Sequence, residues 1–522
     1  MKKEIQIVKR LEIVKTSLEL GDRDIAQLHI LKLQEENIDE LNEIIKNFNN
    51  NNNIDVNNII KLIDNYLFKP KENNLTPHQQ SVFDMICLEF ENILNNKNIK
   101  ATKQSNFVSL YGSAGVGKTY VSSKLIEYFI KKMDYKILLT TPTHKSLSVA
   151  KYMLSNINIK VPTKTLQSYL DVKLFTDYDR GTKRFMRDKI DLQSDYEKDL
   201  DILIVDESSM ISDDLLKFIE ENLKQNKLKS ALFIGDHYQL PPVDESQNSI
   251  EQLTKKFELI EVVRQAKESY IKIIANELKE CIKNKKFLPI SEIIDLKKYS
   301  QMEVFYEEKS LYDSFVTDKN WYKDNIILSY TNKNVDEFNR ILRLKYWLQK
   351  NVFPNEPIIK GELLVFNDSF KTTIQNSEMI TVLDVKKKEN HSIILKDEDN
   401  STKLLEYFEC ISSDGREFKT VVPEYYKLFN KFLEDLSSEA KEEKDKEKRR
   451  LLWKRYFAIK EDYADLKYIH ASTIHKSQGS TYKNVYIDLA SLIQLSYQEE
   501  ELAFRLMYLA VTRASEHIKI LF

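Results

Sequence analysis

The sequence predicts an α/β protein with two domains built on parallel sheets and a smaller β block inserted in the second. Three observations carry that prediction. First, short apolar runs alternate with helical stretches between residues 75 and 240: "FVSLYG" (107–112), "KILLTTP" (136–142), "DILIVDE" (201–207) and "SALFIGD" (230–236). Runs without polar alternation are the pattern of strands covered on both faces, and intervening helices imply crossover connections. Second, the pattern returns at "NIILSYTN" (325–332) and "NVYIDLA" (484–490), which marks a second α/β domain. Third, residues 351–465 between those runs differ. They hold β-like pieces ("GELLVF", "MITVLDV", "HSIILKD", "EFKTVVP") and then a charged helical stretch, "EAKEEKDKEKRRLLWKRYF".

Each segment has its own signal. Ile5, Val8, Leu11, Val14 and Leu18 recur at helical spacing, as do Ile38, Leu41, Ile44 and Ile45, so residues 1–72 read as a helical extension. The Asn-rich run at 47–58 within it reads as a linker. In the charged stretch, Glu442–Lys446 and Asp445–Arg449 have the i,i+4 spacing of ion pairs on a solvated helix face. Between 170 and 190, "LDVKLFTDYDRGTKRFMRDKI" reads as a β-hairpin turning at Asp179–Gly181.

Bulk composition excludes several classes. At 522 residues the chain exceeds one ordinary domain, and 42% apolar residues are enough for real cores. With 79 basic against 81 acidic residues, a nucleic-acid surface must be local if it exists. Cys87, Cys281 and Cys410 are far apart and form no C-x-x-C pair, which argues against a zinc or disulfide scaffold and suits a reducing cytoplasm. No apolar run is long enough for a bilayer, and charge interrupts every apolar stretch near the start, unlike a signal peptide.

The chemistry concentrates at "LYGSAGVGKT" (110–119), where three of the nine glycines fall within six residues. "GSAGVGKT" matches G-x-x-x-x-G-K-[ST] between a strand and a helix. Gly112, Ser113, Ala114, Gly115, Val116 and Gly117 would turn backbone N–H groups onto one phosphate chain. Lys118 would reach the β/γ-phosphates, the Thr119 hydroxyl would ligate Mg²⁺, and Tyr120 would follow on the helix. In "ILIVDESS" (202–209), a strand ending in two acids offers Asp206 to the magnesium and Glu207 as the base for the attacking water. In "GDHYQLPPV" (235–243), Gln239 is a neutral group suited to sensing the γ-phosphate.

Together these motifs resemble the superfamily 1 helicases, most closely the Dda-like and RecD-like members of subgroup B, from about residue 73 to the end. "LTPHQQSVF" resembles the Q motif, with Gln79 as the adenine reader. "TTPTHKS" resembles motif Ia, and "TLQSYL" resembles motif Ib with a Gln where Dda-like sequences often have His. "VDES" and "GDHYQLPPV" correspond to motifs II and III. "VVRQA" carries Arg264 of motif IV, "ASTIHKSQGSTY" resembles motif V, and "YLAVTRA" resembles motif VI with Arg513. The first 70 residues are not covered. The 351–465 block fits the family's SH3-like subdomain by position more than by sequence.

The resemblance implies two RecA-like P-loop domains, 73–256 and 257–350 plus 466–522, with ATP between them. It implies a β-hairpin pin at about 168–192, an inserted SH3-like subdomain with a helical arm, translocation on single-stranded DNA, and 5′-to-3′ polarity from the subgroup alone. Arg264 and Arg513 would then complete the site from the second domain. The DNA grips would be Pro142, Thr143 and His144, Thr165 and Ser168, and Thr473, His475 and Lys476. Phe185, or second Phe175, would be the aromatic wedge at a fork, unless these rings pack the hairpin's inner face. The expected partners are single-stranded and forked DNA, with single-strand-binding or replisome proteins besides. The expected protein is a monomer with no membrane, in a bacterial cytoplasm or a phage-infected one. Two rivals stand: a nucleic-acid-stimulated ATPase that strips proteins or acts on RNA, and a non-catalytic nucleotide-dependent scaffold.

Overall fold

The computed structural model describes residues 75–95, 106–113, 115–156, 160–187, 199–241, 249–261, 270–294, 302–317, 321–367, 370, 378–397 and 401–522, with 23–34 and isolated positions nearer the start. The chain forms two units, Met1–Thr76 and Pro77–Phe522. In the first, the helix Arg23–Gln34 buries Ala26, Ile30 and Leu33, an i, i+4, i+7 stripe. Leu11, Val14 and Leu18 are also helical and buried. Ile5, Val8, Ile38, Leu41, Ile44 and the run 47–58 lie outside the described residues.

The second unit carries the strands β1 (Phe107–Gly112), β2 (Ile137–Thr141), β3 (Thr163–Thr165), β4 (Val172–Asp177), β5 (Thr182–Arg187), β6 (Leu200–Val205), β7 (Leu228–Gly235), β8 (Lys255–Leu259), β9 (Glu303–Phe305) and β10 (Asn325–Ser329). After them come β11 (Leu363–Phe366), β12 (Met379–Lys396), β13 (Thr402–Ser412), β14 (Glu417–Val421), β15 (Leu466–Tyr468), β16 (Ala471–Thr473), β17 (Tyr482–Asp488) and β18 (Ala514–Leu521). The first sheet has the order β3-β2-β6-β7-β1-β8 and the second β16-β10-β17-β18-β9, with every pairing parallel. All six apolar runs read as strands are strands. Those read in the first domain are almost wholly buried, as a sheet covered on both faces requires. Because β6, β7 and β1 are neighbours, with Val205 opposite Phe233 and Tyr111 opposite Gly235, the loops leaving their carboxyl ends lie side by side.

The inserted block is an antiparallel sheet, β14-β13-β12-β11-β15, and differs from the sequence reading in two ways. "MITVLDV" and "HSIILKD" are two parts of one strand, β12, and its partner β13 went unread. The lysine-rich middle of β12 reads as a break. In fact it runs along a solvent-facing ribbon, where Lys387 pairs with Glu406 and Lys388 with Glu409. The charged stretch is likewise two helices, Tyr426–Glu442 and Lys446–Asp462. Asp445 is no i,i+4 partner inside a helix. Its carboxylate accepts from Lys448 N at 2.9 Å and caps the second helix.

Nor is that second helix only a solvated face. It buries Trp453 and Phe457, and these rings receive the tip of the β4–β5 hairpin. Tyr178 meets Phe457 edge-on at 6.0 Å, Lys446 pairs with Asp179 at 3.5 Å, and the Trp453 indole lies over Gly181. The turn, closed by the Gly181 N–H donating to Asp177 O at 2.7 Å, needs glycine there for its φ of +67°. A Cβ at 181 would overlap the indole. Gly181→Ala is therefore expected to destabilise the tip by about 1–3 kcal/mol. Amide hydrogen exchange across 172–187 should accelerate on the order of ten- to a hundredfold, while the β1 and β6 amides keep their protection.

Candidate functional site

The phosphate loop leaves β1 at Gly112, whose missing Cβ would come within 2.6 Å of the Val116 side chain and 3.0 Å of Leu259 O. Gly117 starts the helix Lys118–Lys131 with φ +85°. Its Cα side is closed by Gln79, whose amide N would stand 2.6 Å from a Cβ. Gln79 is buried and donates to Val116 O at 3.0 Å, so the predicted adenine reader abuts the loop. Lys118 Nζ donates to Gly112 O at 2.6 Å and Ser113 O at 3.1 Å, holding a cation over the loop. Ser113 Oγ is buried without a hydrogen-bond partner. Thr119 is exposed in the first helical turn and Tyr120 is half-buried, while Ala114 lies outside the described residues.

Next along the sheet edge, Asp206 N donates to Thr140 O at 2.9 Å, and Asp206 Oδ1 accepts from Glu207 N at 2.9 Å. Burial, with the Glu207 carboxylate adding, pushes the Asp206 carboxyl up to about 7 against the pull of the Glu207 N–H and the Lys118 charge. Glu207 has φ +54°, a left-handed conformation rare for a residue with a side chain. Such strain costs about 1–3 kcal/mol and persists where surrounding structure imposes it.

Following β7, Asp236 and Gln239 are both buried. Asp236 Oδ1 accepts from Tyr238 N at 3.0 Å, and its Oδ2 accepts from Tyr508 OH at 2.8 Å. Tyr508 lies on the helix Glu500–Thr512 of the second sheet's domain. The same helix sends Arg505 Nη1 to His237 O at 2.6 Å and Gln239 O at 3.0 Å. Tyr238 and Leu240 pack into the core that holds Phe504, Met507 and Tyr508. From the turn after β16, Gln478 Nε2 donates to Gln239 Oε1 at 3.2 Å and Ser209 Oγ at 3.4 Å. Arg513 ends the helix, bonded to Ser480 O at 3.0 Å, Leu509 O at 3.3 Å and Thr512 Oγ1 at 3.2 Å. Burial pushes its guanidinium down from the usual range, opposed by the charges of Glu207 and Asp236.

The structure thus brings Gln79, Gly112, Ser113, Gly115 to Thr119, Asp206, Glu207, Gln239 and Arg513 around one cleft edge. Arg264 lies outside the described residues. Arg505, Tyr508 and Gln478 went unread. Arg505 and Gln478 sit inside or beside quoted motifs, but no spacing along the chain says that they cross to the 236–240 loop.

The proposed DNA contacts divide. Thr143 Oγ1 meets Ser146 Oγ at 2.8 Å and accepts from Ser146 N at 3.2 Å, capping the helix that begins at His144. The His144 side chain is outside the described residues. Gln167 Nε2 donates to Pro142 O at 3.2 Å, so the residue that departs from the family's His ties motif Ib to motif Ia. Thr165 is buried and accepts from Ser168 N at 3.3 Å; it is a helix cap, not a surface contact, while Ser168 is exposed. Thr473 is also buried, in β16. His475 and Lys476 are exposed, and Lys476 Nζ donates to Asn367 O at 3.0 Å. The two hairpin phenylalanines divide by face. Phe185 packs partly buried against the first domain's core, on the hairpin face of the buried Val172, whose register partner Arg187 lies two residues beyond it. Phe175 is on the outer face, 39% exposed, with Met186 beside it on that face at 41%.

A family described as an AAA domain matches residues 97–286, and the UvrD-like helicase C-terminal domain matches 468–521. An uncharacterized protein of Acanthamoeba polyphaga mimivirus is 24% identical over 81% of this chain and 97% of its own. The ATP-dependent DNA helicase dda of Enterobacteria phage T4 is 25% identical over 84% of this chain and 97% of its own. The crystal structure of a Bacteroides Pif1 helicase in complex with ADP-AlF3 and ssDNA covers 86% of this chain and 92% of that one, at 17% identity and a TM-score of 0.42.

At Gly117 the backbone and the neighbour both forbid a side chain. Gly117→Ala is expected to weaken nucleotide binding on the order of ten- to a hundredfold, read by a fluorescent ATP analogue, with the far-ultraviolet dichroism unchanged.

Proposed function

We propose that this chain, a Dda- and Pif1-like helicase of superfamily 1, is an ATP-dependent DNA helicase that translocates 5′-to-3′ on single-stranded DNA and opens duplexes ahead of it. One observation carries the reading. The phosphate loop, the Asp206–Glu207 pair and Gln239 leave adjacent strands of one sheet, and the helix carrying Arg513 is fastened to them from the other sheet's domain by Arg505 and Tyr508.

Phosphoryl transfer asks a protein mainly for positioning and charge stabilisation. Lys118 and the loop N–H groups hold the phosphates, and the unpartnered Ser113 hydroxyl adds a donor. Glu207, set at the sheet edge, takes the proton of the attacking water. Arg513 approaches from the second domain, where such a finger is worth ~10³–10⁵ in rate. Hydrolysis then depends on how the two domains meet, and the meeting depends on nucleotide. The donor set fits Mg²⁺: Asp206 is a half-buried carboxylate with one backbone donor in the structure, and Thr119 offers a hydroxyl. When bound, Mg²⁺ would offset the charge of these carboxylates and of the phosphates.

Thr143, Ser168, His475 and Lys476, at loops beyond strand ends, serve as phosphate grips that read no sequence. The β4–β5 hairpin serves as the pin, with Phe175 as its wedge, and the inserted sheet with its helices serves as an SH3-like subdomain bracing it. Exposure of Phe175 and the seat of the tip against Trp453 support this reading.

Strand displacement tests it. A 5′-tailed duplex should be unwound with ATP, and a 3′-tailed one should not; no unwinding of either, with brisk DNA-stimulated ATPase, would favour a stripping role. Glu207→Gln should lower kcat on the order of 10²–10⁴ with little change in the KM for ATP. Phe175→Ala should impair unwinding and spare DNA-stimulated ATPase. Phe185→Ala should lower stability by about 3–5 kcal/mol, or less in proportion to its partial exposure, and reduce both activities together.

A further inference from the structure

Lys279 is a charged side chain where the fold offers apolar company. It lies on the helix Tyr270–Asn284, which buries Ile271, Ile274, Leu278 and Ile282 in the second domain's core. Only 6% of Lys279 is exposed. A lysine so deep is normally held by close partners, because an ammonium leaves water at a cost that its methylenes do not repay. Here the partners are loose. Among the described residues its one ion pair is with Glu258, at 4.0 Å, and its Nζ stands over the Tyr238 ring, 5.0 Å from the centroid.

Both partners belong to the first sheet and its loops, and each is one residue from the nucleotide site. Tyr238 precedes Gln239. Its N–H donates to Asp236 Oδ1 at 3.0 Å, and its ring meets Tyr508 edge-on at 6.2 Å. Glu258, in β8, precedes Leu259, whose carbonyl O would lie 3.0 Å from a Cβ on Gly112, the first glycine of the phosphate loop. The register of β8 with β1 sets Tyr111 opposite Glu258 and Gly112 opposite Leu259. One cation of the second domain thus touches both the segment that carries Gln239 and the strand that backs the phosphate loop.

We propose that Lys279 is a positioning residue for ATP hydrolysis: its charge holds Tyr238 and β8 against the second domain, and so sets Gln239 and the start of the phosphate loop for the reaction. The charge serves geometry and not stability. Replacing a buried ion by an apolar side chain of similar volume is often neutral or stabilising, and the Glu258 side chain, 37% exposed, keeps its water when Lys279 is gone. The proposal rests on the ATPase reading above, in which Gln239 senses the γ-phosphate, and its test separates the two.

The test uses the full chain with saturating oligo(dT) and reads kcat and KM for ATP beside the midpoint of thermal unfolding. Lys279→Met keeps an unbranched apolar side chain and removes the charge. It is expected to lower kcat on the order of tenfold, with KM within about threefold and the midpoint equal or higher. Tyr238→Leu keeps Lys279 and removes the ring beneath it. It is expected to lower kcat by a similar factor, with the double variant no slower than the slower single one, as for two residues that act through one contact. A kcat for Lys279→Met within about twofold of the unaltered protein would overturn the proposal. So would a lowered midpoint or a failure to fold, which would make Lys279 a merely structural residue, or losses that multiply in the double variant. If the unaltered protein hydrolyses no ATP, the helicase reading fails instead.

Discussion

The hydrogen bond from Tyr508 to the buried Asp236 carboxylate, with Arg505 on the carbonyls of His237 and Gln239, is the constraint on which the rest of the site depends. The donors come from one helix and the acceptors from the loop after β7, and Tyr508 and Asp236 are buried. A bond to a charged group in such a place is worth about 1.5–3 kcal/mol, and losing one partner leaves the other unsatisfied at a similar cost. The 236–240 loop therefore belongs as much to the second domain's core as to the first domain's sheet, and Tyr238 and Leu240 pack accordingly. The helix that ends at Arg513 is tied to Gln239 by this fastening.

A second consequence concerns charge. Asp206, Glu207 and Asp236 crowd one sheet edge, and burial makes each negative charge costly. The structure answers with cations and donors drawn from both sides: Lys118 over the loop, Arg513 from across the cleft, and backbone N–H groups on Asp206 and Asp236. Burial raises the Asp206 carboxyl, with Glu207 adding to the rise, and burial lowers the Arg513 guanidinium, with Glu207 and Asp236 opposing the fall. A polyanionic nucleotide adds to the negative side, which is why its binding has to draw on every cation at the cleft.

The hairpin and the inserted block make a comparable pair farther from the chemistry. The hairpin's inner face is anchored by Val172 and Phe185 in the first domain's core, and its tip is seated on Trp453 and Phe457 of the insertion. Two domains thus position one short ribbon, which alone would be marginal in water. Its exposed outer face, with Phe175 and Met186, is free of that packing.

The phosphate loop, the acidic pair and the six parallel strands were legible in the chain because each is a local pattern. Glycine spacing answers to backbone reach, and an unbroken apolar run answers to burial on two faces. Even the order of the motifs is a linear property. Other features were settled only by packing. Which hairpin phenylalanine packs against the core depended on the register of β4 with β5, because a one-residue shift exchanges the two faces. The lysine-rich middle of β12 formed a strand because Glu406 and Glu409 stood across from it, which no local propensity contains. Thr165 became a cap, and Arg505, Tyr508 and Gln478 became cleft residues, through contacts with partners up to 272 residues away. The sequence by itself determined what chemistry the chain can hold, since that is a matter of residue type at short spacing. The tertiary structure decided which domains meet at that chemistry and through which side chains, since contacts between distant segments are set by the whole fold.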